Sequence, residues 1–220
     1  MIDTSSTKGR LIAASTRLAA VRDWREVSLA DIAAEAGLTL AELREAFPSK
    51  AAIVAGLMRA IDAEVLAKAP RPDGTQNARD RLFEVVMARF DALEPYKAAL
   101  ASITTGQAPD PKLAAAALSS QRWMLEAAGI SSDGLDGAVR TAGLASVYAT
   151  VFQIWLADDD PGLARTMAAL DRRLRRGESA MSLVDGVCGA MRRLTGGMRR
   201  GSGPATPTET PAPAAGPPPT

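Results

Sequence analysis

Apolar side chains recur at helical intervals along most of this chain, and turn-forming residues punctuate them. Leu11, Ile12, Ala14, Leu18 and Val21 predict a helix from Thr7 to Val21 with one buried face. Trp24 follows its end and is expected to pack beneath it. Ser28 and Asp31 form an S-x-x-D pair, in which a hydroxyl and a carboxylate each satisfy a backbone donor at a helix start. Ile32 and Ala33 then face inward, and Gly37 stands where such a helix closes on a left-handed residue. Thr39 and Glu42 repeat the capping pattern and open a short third helix with Leu40, Leu43 and Phe47 as its inner stripe; Pro48 stops it. Ser49 caps a long helix to Lys68, in which Ile53, Leu57, Ile61 and Val65 recur every four residues.

Pro70, Pro72, Asp73 and Gly74 break the pattern and divide a first unit, 1–69, from a second, 76–200. Amphipathic segments follow over Ala78–Leu93, Pro95–Thr104, Lys112–Ala128 and Leu135–Ala157. Asp160 and Pro161 read as an N-cap and first-turn proline of a helix to Arg176, and a last helix is expected over Ser179–Leu194. Residues 201–220 are Pro, Ala, Thr, Gly and Ser with little apolar bulk, a tail not expected to fold. No internal repeat is visible.

Composition agrees with helices throughout. Apolar residues make up 47% of the chain and aromatics only 4%, with Ala and Leu dominant over β-branched types, so the fold class is all-α. The single cysteine, Cys188, excludes an intrachain disulfide and suits a cytoplasmic protein. Residues 1–10 lack the apolar core of a secretory signal, and no apolar run is long enough for a bilayer span. With no histidine and one cysteine, neither a zinc site nor a Ser–His or Cys–His nucleophile has the residues it needs. No enzyme, metal or cofactor is therefore expected.

Two short capped helices around a glycine turn, with a helix before and a longer one after, form a helix-turn-helix candidate. Thr39, Ala41, Glu42, Arg44, Glu45 and Ala46 would face outward in part, while Leu43 and Phe47 face in. The run Val27 to Thr39, followed by Phe47-Pro48-Ser49-Lys50, resembles the DNA-binding domain of TetR-family regulators. Ala13, Ala14, Leu18, Ala19 and Ala20, ending near Trp24, resemble that family's first helix. The resemblance covers Arg10 to Leu57. It departs at Arg44, where the family usually has Tyr, and at Ala46, where it has Tyr or His.

This resemblance implies a TetR-like fold, with a helix-turn-helix domain in 1–69 and a helical ligand and dimerisation domain in 76–200. It also implies a homodimer on duplex DNA. Thr39, Leu40 and Arg44 would lie near base edges or phosphates, and Ser28 and Lys50 near phosphate. The whole chain carries a formal net charge of +1, and residues 1–69 hold nine basic and nine acidic side chains. Any DNA affinity must then come from where those charges sit, and not from their sum.

In the second unit, Met87, Phe90, Trp123, Tyr148 and Phe152 are large groups on helices, readable as core or as the walls of a pocket for a small apolar ligand. The runs Arg79–Leu82 and Phe90–Tyr96, Trp123 with Ala127 and Gly129, and Ala145–Ala149 resemble the lipid-binding accessory proteins of ubiquinone biosynthesis. So do Asp158–Arg176 and the Leu183–Gly186 helix. That similarity implies an isoprenoid ligand without DNA reading, an alternative on the same fold. The last predicted helix pairs an apolar stripe, Met181 to Leu194, with Arg192, Arg193, Arg199 and Arg200. It reads as a dimer-packing helix or, through 179–200, as a membrane-surface contact.

Overall fold

A computed structural model describes residues 2–69 and 76–177. The Pro70–Gly74 boundary, the 179–194 helix with Cys188 and its arginines, the 179–200 membrane contact and the 201–220 tail lie outside the described residues. Every regular element among the described residues is a helix: α1 (Thr7–Val21), α2 (Leu29–Glu35), α3 (Leu40–Ala46), α4 (Lys50–Lys68), α5 (Ala78–Leu93), a 3₁₀ turn (Glu94–Tyr96), α6 (Lys97–Gly106), α7 (Pro111–Ala127), α8 (Gly134–Leu156) and α9 (164–177).

The starts of these helices are set locally. Ser6, Ser28, Thr39, Ser49, Asn77 and Asp110 each accept a backbone N–H from the first turn they precede. At Ser28 and Thr39 the cap is reciprocal, because Asp31 and Glu42 reach back to the cap backbone. Gly37 sits at φ 64°, and the N–H groups of Gly37 and Leu38 close α2 on Ala34 and Ala33 at 3.0 and 2.9 Å.

One expected start is corrected. Pro161 lies in a turn and not in a helix; α9 begins at 164, after Leu163 at φ 51°. The Asp160 carboxylate accepts the N–H groups of Gly162 and Ala164, so it holds a tight turn there. Asp158, buried, takes the backbone and hydroxyl of Thr166 at 2.9 and 2.7 Å and fixes the first turn that follows.

α1 packs on α2, α3, α4 and α6; α4 packs on α5 and α7; α7 packs on α5 and α8. The buried cluster is continuous from Leu11, Trp24, Ile32 and Leu43 through Ile53, Leu57 and Ile61 to Val86, Phe90, Met124, Trp155 and Leu170. Gly56 lets α4 lie close against α3, because a Cβ there would stand 2.9 Å from the Phe47 ring and 3.2 Å from Ile12. No helix of the described residues is long and apolar enough to cross a membrane.

Candidate functional site

Helices α2 and α3, the glycine turn between them and α1 behind them form a helix-turn-helix. Leu43 and Phe47 are buried at 2% and 3% exposure and anchor α3 to the core. Thr39, Leu40, Ala41, Glu42, Arg44 and Glu45 are all exposed. Leu40, expected in the inner stripe, is 55% exposed, so it belongs to the outward face with Thr39 and Arg44.

Several acidic side chains of this unit already have partners, and the cap bonds hold Asp31 and Glu42 ionised. The Glu42 carboxylate accepts the Thr39 N–H and hydroxyl, both at 2.8 Å, and the Thr39 N–H first and its hydroxyl second hold Glu42 below the ordinary glutamate value. Asp31 does the same for Ser28, accepting its N–H at 2.9 Å and its hydroxyl at 2.8 Å. Glu35 pairs with Arg17 at 2.8 Å. The Arg25 guanidinium bonds Asp23 and lowers its carboxyl to about 2. These acids cap and brace the motif, whereas Arg44 stands in solvent on α3.

Lys50, expected near phosphate, has its ammonium against the chain's own backbone. Its Nζ donates to the carbonyls of Trp24 and Val27, the latter at 2.6 Å, and lies 4.2 Å from the centre of the Trp24 ring. Burial lowers its pKa, and Asp23 acts against that. The ammonium is thus a strut that ties the first turn of α4 to the segment leading into Ser28. Trp24, fully buried, also donates Nε1–H to Gln107 Oε1 at 3.0 Å, and its N–H goes to Ser102 Oγ at 3.0 Å. Charge position alone could not show this strut, since its acceptors are carbonyls twenty-three and twenty-six residues away.

A second feature is a cavity of about 440 Å³ between α4, α5, α6, α7 and α8. Val54, Met58, Leu93, Leu100, Ile103, Leu113 and Phe152 give it apolar walls, Gln107 to Asp110 form its rim, and Arg89 and Tyr148 supply polar atoms. Of the five residues expected at a pocket, Tyr148 and Phe152 line it. Phe90 is fully buried behind Tyr148, its ring stacked at 5.2 Å and within 1° of parallel. Met87 packs against the core and does not line the cavity. Trp123 does not line it either: it is 53% exposed on α7, where Met124 and Leu125 take the inward positions.

Behind the cavity wall lies a buried network. Arg89, 2% exposed, pairs with Asp62 of α4 through Nη1 and donates Nε–H to the Tyr148 hydroxyl oxygen at 3.0 Å. Ser120 of α7 donates to the other Asp62 oxygen at 2.5 Å. Burial raises the Tyr148 phenol pKa, opposed by the Arg89 charge. These four residues come from four helices, so no local sequence pattern announces them.

Residues 11–57 match the family model of bacterial regulatory proteins, tetR family. The fold is similar to that of a TetR transcriptional regulator from Nitrosomonas europaea ATCC 19718, at TM-score 0.62 and 22% identity, covering 78% of this chain and 97% of that one. It is also similar to a TetR transcriptional regulator from Rhodococcus sp. RHA1, at TM-score 0.59 and 18% identity over 79% and 96% of the two chains. A tetR-family transcriptional regulator from Streptomyces coelicolor aligns at TM-score 0.57 and 17% identity over 85% and 86%. No curated protein matches. These similarities bear on the first domain and the fold, and not on the resemblance to ubiquinone accessory proteins.

Proposed function

From a chain that carries the tetR-family domain in residues 11–57 on a TetR-type helical fold, we propose a homodimeric transcriptional regulator that acts on duplex DNA in the cytoplasm. Its operator affinity is modulated by a small apolar ligand in the 440 Å³ cavity. Residues 1–69 serve as the reading unit, and 76–200 as the ligand and dimer unit. The observation that carries this reading is the coincidence of the matched segment with two reciprocally capped helices, the second turning Thr39, Leu40 and Arg44 outward. An exposed leucine suits a thymine methyl, and an arginine suits guanine or phosphate. The free N–H groups at the Ser28 end of α2 suit a second phosphate. Lys50 acts behind them as a positioning residue.

Two features support ligand control. The cavity touches Val54 and Met58 of α4, whose first turn is tied through Lys50 to Trp24 and Val27. Its rim residue Gln107 holds the Trp24 indole. A ligand that shifts either element changes how the reading helix is presented, a coupling of about 1–3 kcal/mol. Dimerisation is supported by exposed apolar groups on the paired helices α7 and α8: Leu118, Trp123, Leu135 and Val139.

Fluorescence anisotropy with a duplex from upstream of the chain's own gene tests the DNA-binding half. Affinity should fall steeply with salt, since phosphate contacts release counterions. Arg44→Ala should weaken it at every salt concentration. Absence of binding at low salt overturns the regulator reading.

A further inference from the structure

Among the polar groups that line the cavity, Arg89 and Tyr148 offer hydrogen-bond donors, while Thr104, Gln107, Asp110 and Gln153, which can accept, are half-buried or exposed. Thr104 spends its hydroxyl on Leu100 O at 2.7 Å. Gln107 accepts from Trp24 and donates to Ala108 O at 3.1 Å. Asp110 accepts the N–H groups of Lys112 and Leu113 at 2.8 and 3.1 Å, which caps α7. Tyr148 is different: its oxygen accepts from Arg89, and its own O–H finds no acceptor among the described residues. Arg89 carries five N–H donors. One goes to Tyr148 and Nη1 faces Asp62, so part of its donor edge is left at the wall it helps to form.

Charge decides what such donors would take. Asp62 already balances Arg89, and both are buried. A carboxylate entering here would bring a second anion to a neutral pair inside an apolar wall, with its own desolvation cost uncompensated. A hydrocarbon would leave the Tyr148 O–H unpaired and dry. A carbonyl oxygen accepts two donors and adds no charge. We therefore propose that the cavity selects an uncharged apolar compound with a carbonyl oxygen at one end, read by the Tyr148 O–H and the free edge of Arg89, with the apolar remainder against Met58, Leu100, Ile103 and Phe152. The inference rests on the cavity being the effector site proposed above.

Isothermal titration of the full chain with three probes of equal chain length tests it: 2-decanone, decanoate and decane. The ketone should bind about tenfold tighter than the alkane, the effect of one buried hydrogen bond, and tighter than decanoate. Tyr148→Phe should lower ketone affinity by about the same factor and leave decane unchanged. A thermal melt of the variant confirms that it folds. The infrared carbonyl band of bound 2-decanone gives a readout that needs no variant, since an accepted hydrogen bond moves it to lower wavenumber. Decanoate binding tightest, ketone and alkane binding equally, or an unshifted carbonyl band would overturn the selectivity and leave the cavity standing. If none of the three binds, the cavity is not an effector site and both readings fall together.

Discussion

At the scale of single residues, the most demanding group is Arg89. A guanidinium at 2% exposure is tolerated because Asp62 neutralises it and the Tyr148 oxygen takes its Nε–H at 3.0 Å. Breaking such a pair from one side leaves the other charge buried alone. Arg89→Met should therefore cost about 3–5 kcal/mol in urea unfolding, the usual range for an orphaned buried ion. The double change Asp62→Leu with Arg89→Met removes both charges and should recover most of that loss. If the single variant unfolds at the wild-type urea midpoint, Asp62 is not held as an ion by Arg89. The other residue with a clear consequence is Gly56. Alanine is the better helix former by about 1 kcal/mol. Its Cβ would nevertheless stand 2.9 Å and 3.0 Å from two Phe47 ring atoms, and Phe47 is locked at 3% exposure. Overpacking should win, so Gly56→Ala should lower the melting temperature.

At the scale of elements, helix starts carry the argument. Ser28→Ala and Thr39→Ala each remove a cap hydroxyl and should each cost about 1 kcal/mol. Their partners add a pH dependence. Asp31 and Glu42 titrate below their ordinary values because the cap N–H and hydroxyl bond their ionised forms. A carboxylate with a lowered folded pKa stabilises the fold fully above its unfolded value. That stabilisation is lost as the pH falls through the lowered one. The melting temperature should drop as the pH falls below about 4, and the drop should be shallower in the two alanine variants. An unchanged slope in both variants would remove the caps as its source. These starts were readable in the sequence because every interaction in them spans three residues or fewer. The α9 start was not: Asp160 and Pro161 have the composition of a cap, but Asp160 bonds Gly162 and Ala164 and forms a turn instead. Helical periodicity likewise placed α7 without telling which of Trp123 and Met124 faces in. Only packing against α4, α5 and α8 decides that.

At the scale of the whole molecule, the proposed function asks how a filled cavity would reach the α3 face proposed to read DNA, which does not line it. The long-range interactions that answer it join Trp24 to Gln107, Trp24 to Ser102 and Lys50 to Val27, none of which periodicity or motif could reveal. Two routes leave the cavity, and they can be separated. One is α4 itself, which presents Val54 and Met58 to the cavity and is continuous with Lys50. The other is the rim, where Gln107 grips the Trp24 indole nitrogen at 3.0 Å. Gln107→Ala breaks the second without touching α3 or the α4 backbone. Trp24 would stay buried, held by its core contacts and by the Ser102 hydroxyl. If the rim transmits the ligand signal, the variant should bind DNA as tightly as wild type and bind 2-decanone comparably. The ligand should then no longer change DNA affinity, so that a coupling factor measured by anisotropy with and without ketone collapses toward one. A coupling factor equal to wild type would assign the signal to α4, and Lys50 would then be the residue through which α4 acts on Trp24 and Val27.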